Sequence, residues 1–149
     1  MPLTDSIVVV TDYIYNKLVA AKTALAVADV WYGDQVDIPR TPALCVEPGP
    51  KNRVLHGVPR RSEVNFSTYI LVYHGEIRSV ETNRRECDLL AEAVELLIHQ
   101  DPRLGDNVIH SMATSVDPGY ANRAAGLYRV SRIVVESLSQ VQLPTGGVM

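Results

Sequence analysis

From Glu63 to Tyr73 the chain alternates without a break. Val64, Phe66, Thr68, Ile70 and Val72 fall on one side, and Asn65, Ser67, Tyr69, Leu71 and Tyr73 on the other. A two-residue period is that of a strand, because successive side chains of a pleated chain point to opposite faces. The second half of this strand carries large apolar groups on both sides. That half is therefore expected to be covered on both faces. The fold must supply a sheet and enough other structure to cover it.

The cover is legible on either side of that strand. From Thr4 or Asp5, either of which can cap a helix, apolar residues recur at Val9 or Val10, Tyr13, Ile14, Leu18, Ala21 and Leu25, with the stem of Lys17 among them. Asp12, Asn16 and Lys22 take the wet side. The β-branched run Ile7–Val10 works against the first turn of this helix. A second helix is expected from about Ser79 to His99. Its stripe is Cys87, Leu90, Ala91, Val94, Leu97 and Ile98. The pairs Glu81–Arg85 and Arg84–Asp88, four apart and opposite in sign, add only about 0.2–0.5 kcal/mol each. Burying the stripe matters more, at roughly 1.5–3 kcal/mol for each large side chain. Asp101-Pro102 ends this helix.

Further strands are expected at Val30–Tyr32, at Ala43–Glu47, at Val108–Val116 and at Leu127–Leu138. Pro48-Gly49-Pro50 reads as the stop of the second and Asp117-Pro118-Gly119 as the stop of the third. Between them, residues 49–61 read as a long loop carrying Lys51, Arg53, Arg60 and Arg61. The last two strands, joined by a short polar connection, read as an antiparallel hairpin. Strands cluster and do not alternate regularly with helices. The expected class is therefore α+β, a mainly antiparallel sheet with two main helices packed on it. One domain over 1–143 and a loose Gly-rich tail over 144–149 fit a chain of 149 residues.

Composition narrows the function. A 46% hydrophobic and 21% charged chain can build a core, and a net charge of -3 speaks against a nucleic-acid-coating protein. The short apolar patch Ile7–Val10 lacks a basic leader, and no apolar run approaches the roughly 20 residues of a membrane span. Cys45 and Cys87 read as buried thiols and do not form a CxxC pair. His56, His74, His99 and His110 lack ligand spacing, so no metal is expected. Gly49-Pro50-Lys51 is not a phosphate-binding loop, since the following helix and the second glycine-lysine are missing. There is no GxSxG elbow. Asp34 and Asp37, among Gly and Pro, read as a solvated turn. Asn65-Phe66-Ser67 matches a glycosylation triplet only by chance, within a strand. No catalytic residue and no cofactor are expected.

What remains is surface. Lys51, Arg53, Arg60 and Arg61 read either as a basic finger that meets an acidic partner surface or DNA phosphate, or as a solvated loop that keeps an edge strand from pairing wrongly. Arg129 and Arg132 fall on opposite sides of the last strand. At least one must meet a carboxylate, within the chain or on a neighbour. The hairpin 108–140, apolar in part on both faces, is expected at a subunit interface.

The segments VIHSMATSVDPGY (Val108–Tyr120) and YRVSRIVVESLSQVQL (Tyr128–Leu143) carry a resemblance. So do the N-terminal helix, the long strand Ser62–His74 and the helix Glu81–Ile98. Together they resemble the tail terminator proteins of tailed bacteriophages over nearly the whole chain. The resemblance implies a structural virion protein assembled in the host cytoplasm. It would form a homohexameric ring that caps the tail tube and offers a surface for head and neck joining. The implied partners are the chain itself, the tail tube protein, a neck or connector protein and the tail sheath. DNA would pass through the lumen without specific binding, and no membrane is involved. A head-to-tail connector ring of the same region is the alternative, and a small non-catalytic binding module a more distant one.

Overall fold

A computed structural model describes residues 3–56, 61–76, 80–123 and 126–143. In chain order the elements are α1 (Ile7–Ala20), β1 (Asp29–Tyr32), β2 (Ala43–His56), β3 (Arg61–Glu76), α2 (Val80–His99), β4 (His110–Arg123) and β5 (Gly126–Gln142). The strands form one sheet in the order β1-β2-β3-β5-β4. β1 runs parallel to β2, and every other pairing is antiparallel. The α+β expectation holds.

The cap of α1 is Ser6, one or two residues later than the sequence suggested. Its side chain accepts from the Val9 N–H at 3.3 Å, while Thr4 Oγ1 accepts from the Ser6 N–H. The β-branched first turn is tolerated because burial of Val10, Ile14 and Leu18 outweighs a weak local preference. Both helices lie on the same face of the sheet. Val10, Ile14 and Leu18 of α1 share one core with Leu44 and Val46 of β2. Cys87, Ala91, Val94 and Ile98 of α2 join it over Phe66, Ile70 and Val72 of β3 and over Ile133 and Val135 of β5. The stripe read from the sequence is the stripe that is buried.

The opposite face is covered only at one end. There Ile38, from the connection between β1 and β2, packs on Ala43, Cys45, Tyr73, Tyr128 and Val130. The Tyr128 hydroxyl donates to the Ile38 carbonyl at 2.9 Å. This explains the two-sided apolar character of the second half of β3. Leu71 and Tyr73 meet that connection, and Ile70 and Val72 meet the helices.

Three sequence expectations are corrected. Pro48-Gly49-Pro50 does not end β2. The strand shifts register between Pro48 and Lys51 and continues to His56. The stretch 49–61 is consequently no loop over its described residues. It is a β-ladder in which Lys51 pairs with Phe66, Arg53 with Val64 and His56 with Arg61. Asp117-Pro118-Gly119 does not end β4 either, and pairing with β5 runs on to Arg123. All three prolines, Pro48, Pro50 and Pro118, stand where the outer neighbour strand is missing, so an absent N–H breaks no ladder bond. Bulges in each strand take up the irregularity, at Pro48/Lys51 in β2 and at Ala113/Ser115 in β4.

Candidate functional site

The sheet is much longer than the helices that cover it. β2, β3 and β5 have 14, 16 and 17 residues. At about 3.3 Å per residue, β5 spans roughly 55 Å. The 20-residue α2, at about 1.5 Å per residue, spans roughly 30 Å. α2 ends where His99 Nε2 accepts the Ala113 N–H at 3.0 Å, level with Val135 and Thr68. β1 stops opposite Val46, and β4 starts opposite Leu138. Beyond these points β2, β3 and β5 continue alone as a three-stranded arm, ending at His56, Arg61 and Gln142.

The arm is held by the chain's own N-terminal segment. Thr4 donates its N–H to the Asn107 carbonyl at 2.8 Å and accepts at its own carbonyl from Ser139 Oγ. Asp5 takes Arg53, whose Nη2 lies 3.1 Å from the carboxylate. Nη1 of the same guanidinium donates to the buried Ser62 hydroxyl at 2.9 Å. Val64 and Ser62, on this side of the arm, are therefore fully buried. Near the tip, Val54 and Leu55 are exposed, at 50% and 56%.

The sequence-predicted basic residues separate on this framework. Lys51 is exposed, with Nζ 5.9 Å from the centre of the Phe66 ring. Arg53 is turned inward onto Asp5 and Ser62. Arg61 is exposed at the start of β3. Arg60 lies outside the described residues. The two arginines of β5 do face opposite sides. Arg129 is on the helix side, buried, 3.7 Å from Asp88 and stacked 5.2 Å from the Tyr120 ring centre. Arg132 is on the other face, half exposed, 3.5 Å from Asp117 and 5.1 Å from the Tyr69 ring centre. Each has its carboxylate within the chain.

A polar cluster at the opposite end of the sheet was missed. Asp34, read as a solvated turn residue, accepts from the Tyr73 hydroxyl and, at 2.7 Å, from Arg123 Nη2. The guanidinium also donates to the Tyr73 oxygen. Burial, then the adjoining Asp34 carboxylate, raise the Tyr73 phenol well above its ordinary range. Burial opposes the Arg123 charge, but Tyr73 and Asp34 outweigh it and hold the guanidinium protonated. This cluster fastens the β1–β2 connection to the β4–β5 end. Its members lie 39 and 89 residues apart in the chain, and no local pattern marks them. A cleft there is lined by Asp34, Gln35, Val36, Asn122 and Arg123. All three members of the cluster are engaged with one another, which suits fastening more than chemistry.

Both thiols are buried and free. Burial pushes Cys45 up to about 12 and raises Cys87 as well. Among the described residues, no group of three or more His, Cys, Asp or Glu side chains gathers as a metal site, and no helix is long and apolar enough to cross a membrane.

The sheet edges are blunted. On β4 the bulge, the His99 imidazole on the Ala113 N–H, and Pro118 interrupt the row of free donors. On β2 the bulge and the two prolines do the same. Strand addition at these stretches is disfavoured.

No family model matches the sequence, and no curated protein matches it. Among solved structures, a chain of the virion of a native gene transfer agent particle is similar in its course. It is 13% identical over 84% of this chain and 90% of that chain, with a TM-score of 0.42. No assignment follows from a likeness of that depth.

Proposed function

We propose that this chain is a structural subunit of a phage-like virion, without catalytic activity, and within it a tail terminator that closes into a hexameric ring on the end of the tail tube. The observation that carries the reading is the arm. A monomeric domain gains less from the part of its strands that outruns the helices, because only Val64 and Val141 of that part join the main core. Here the extra length is kept rigid by three-stranded pairing and by Arg53 on Asp5. It also carries exposed Leu55 on the face that holds Lys51, and exposed Val54 on the opposite face, which holds Arg61 and Glu63. Exposed apolar side chains beside charge on a braced extension suit a contact surface. The resemblance of the segments Val108–Tyr120 and Tyr128–Leu143 to tail terminators supplies the kind of assembly.

In such a ring the neighbours are the chain itself, the tail tube protein and a neck or connector protein. A net charge of -3 suits a lumen through which DNA slides without adhering. The test is native mass spectrometry and negative-stain imaging of the purified protein, alone and mixed with tail tubes. Sixfold rings, or density capping tube ends, are the expected result. A twelvefold ring would move the chain to the connector class. A monomer that leaves tube ends bare would overturn the proposal.

A further inference from the structure

Residues 33–42, between β1 and β2, cross one end of the sheet face that the helices leave open. Only Ile38 among them is buried, and Val36 is 81% exposed. Among the described residues, backbone hydrogen bonds tie this segment to the rest of the chain only at its two ends. The Gly33 N–H donates to the Val46 carbonyl, and the Ala28 N–H to the Pro42 carbonyl, both at 2.7 Å. Gly33, at a φ of 88°, has the freedom of a hinge at one end. Between the ends, the hold comes from side chains. Asp34 takes Tyr73 and Arg123, and its N–H donates to Glu47 Oε1 at 3.0 Å. The Tyr128 hydroxyl holds the Ile38 carbonyl. Arg40 grips Asp29 through two nitrogens, at 2.7 and 3.1 Å.

A segment with one apolar anchor and no ladder bonds belongs to the low-stability end of a fold, where opening costs less than global unfolding. Two polar groups at this end add to the tendency. Trp31 Nε1 and Arg123 Nε are buried and have no hydrogen-bond partner among the described residues. Trp31 packs against the same cluster as Ile38. An unmet buried donor weakens the closed arrangement, and opening hydrates it. The helix face differs, because two helices bury full stripes there. We propose that residues 33–42 are a strap that opens as a unit while the sheet and both helices stay folded, with Asp34 on Arg123 and Tyr73 as its catch. The opened state uncovers the Cys45 thiol. It also joins Tyr73 and Val130 to Tyr69, Leu71 and Val134, which share that face by register, in one apolar strip. The strap is thus a cover that sets how much of the open face is apolar.

The two cysteines report the two faces separately. Cys45 lies under the strap, packed with Ile38. Cys87 lies between α2 and the sheet, its sulfur 3.6 Å from the Val72 carbonyl oxygen and 3.6 Å from the Ser131 hydroxyl. The test follows the slow modification of each thiol in the full chain by an aromatic disulfide reagent, at urea concentrations below the melt. Strap opening exposes little surface, so the Cys45 rate should hardly change with urea. Cys87 needs a helix to leave the sheet, so its rate should climb steeply. Both are slow in native buffer, and Cys45 should be the faster by about tenfold or more. Asp34→Asn removes the charge from the catch. It should speed Cys45 modification roughly tenfold without steepening its urea dependence. Ile38→Ala strips the apolar anchor and should do the same. Equal urea slopes at the two thiols, both steep or both flat, overturn the strap as a separate unit. A Cys45 rate that is flat in urea but unmoved by Asp34→Asn overturns the catch.

Discussion

Arg53 and Asp5 lie 48 residues apart and meet at 3.1 Å, one on the arm and one just ahead of α1. The same guanidinium satisfies the buried Ser62 hydroxyl. An exposed ion pair alone contributes about 0–1 kcal/mol. Stranding a buried hydroxyl adds about 1–3 kcal/mol. Arg53→Ala should therefore destabilise the protein by about 1–4 kcal/mol. The loss should be concentrated in faster hydrogen exchange at Val54, Ser62 and Val141. Uniform exchange across the sheet would show that the arm is not held locally.

Gly49 sits in the register shift of β2, where a Cβ would lie 2.6 Å from the Ser67 carbonyl oxygen and 3.0 Å from the Tyr69 ring. Backbone cannot yield cheaply at that distance. Gly49→Ala should lower stability by about 1–3 kcal/mol, as overpacking does, and loosen the arm at its root. A thermal melt together with arm exchange rates reads both effects. An unchanged melting temperature would mean that the bulge re-forms elsewhere.

Asp101 fastens the end of α2 to α1. It accepts from the Tyr13 hydroxyl, from the Gly105 N–H at 3.2 Å and from Lys17 at 3.5 Å. Burial works against its charge, but the bonds from Tyr13, Gly105 and Lys17 prevail and hold it below the usual carboxylate range. Tyr13 is pushed up to about 12, first by its bond to Asp101. A depressed carboxyl adds stability above its unfolded value of about pH 4 and loses it as the pH falls. A raised phenol adds stability below about pH 10 and loses it as the pH climbs toward 12. Asp101→Asn should cost about 1 kcal/mol at neutral pH. It should flatten both limbs of the stability profile and bring tyrosinate absorbance to lower pH. A variant profile parallel to wild type would sink this account.

Arg129 and Arg132 should respond differently to reversal. Arg129→Glu places a second carboxylate beside Asp88 in a buried position, a change expected to cost about 3–5 kcal/mol. Arg132→Glu alters a half-exposed pair and should cost under about 1 kcal/mol. Urea melts of the two variants would separate them. Equal losses would contradict the burial difference between the two side chains.

Cys45 and Cys87 should resist a thiol reagent in the folded protein at mildly alkaline pH, since burial raises both and only the thiolate reacts. Both should label once the protein is unfolded. Labelling of either in native buffer would show that its side of the core opens readily.

The strand at Val64–Val72 and the stripe from Cys87 to Ile98 were determined by sequence alone. Their periods of two and about 3.6 are local, and each residue's face follows from its neighbours whatever the rest of the chain does. The same locality explains the misreadings. Pro48-Gly49-Pro50 and Asp117-Pro118-Gly119 have the chemistry of turns. Whether they end a strand depends on whether another strand lies outside them, and none does. The arm therefore belongs to the tertiary structure. It exists because β2, β3 and β5 pair past the reach of β1 and β4, and because Asp5 is brought to Arg53. The inward turn of Arg53 and the engagement of Asp34 by Tyr73 and Arg123 are relations between distant segments. No local pattern encodes them, since burial and partnership are fixed only when the whole chain has closed on its core.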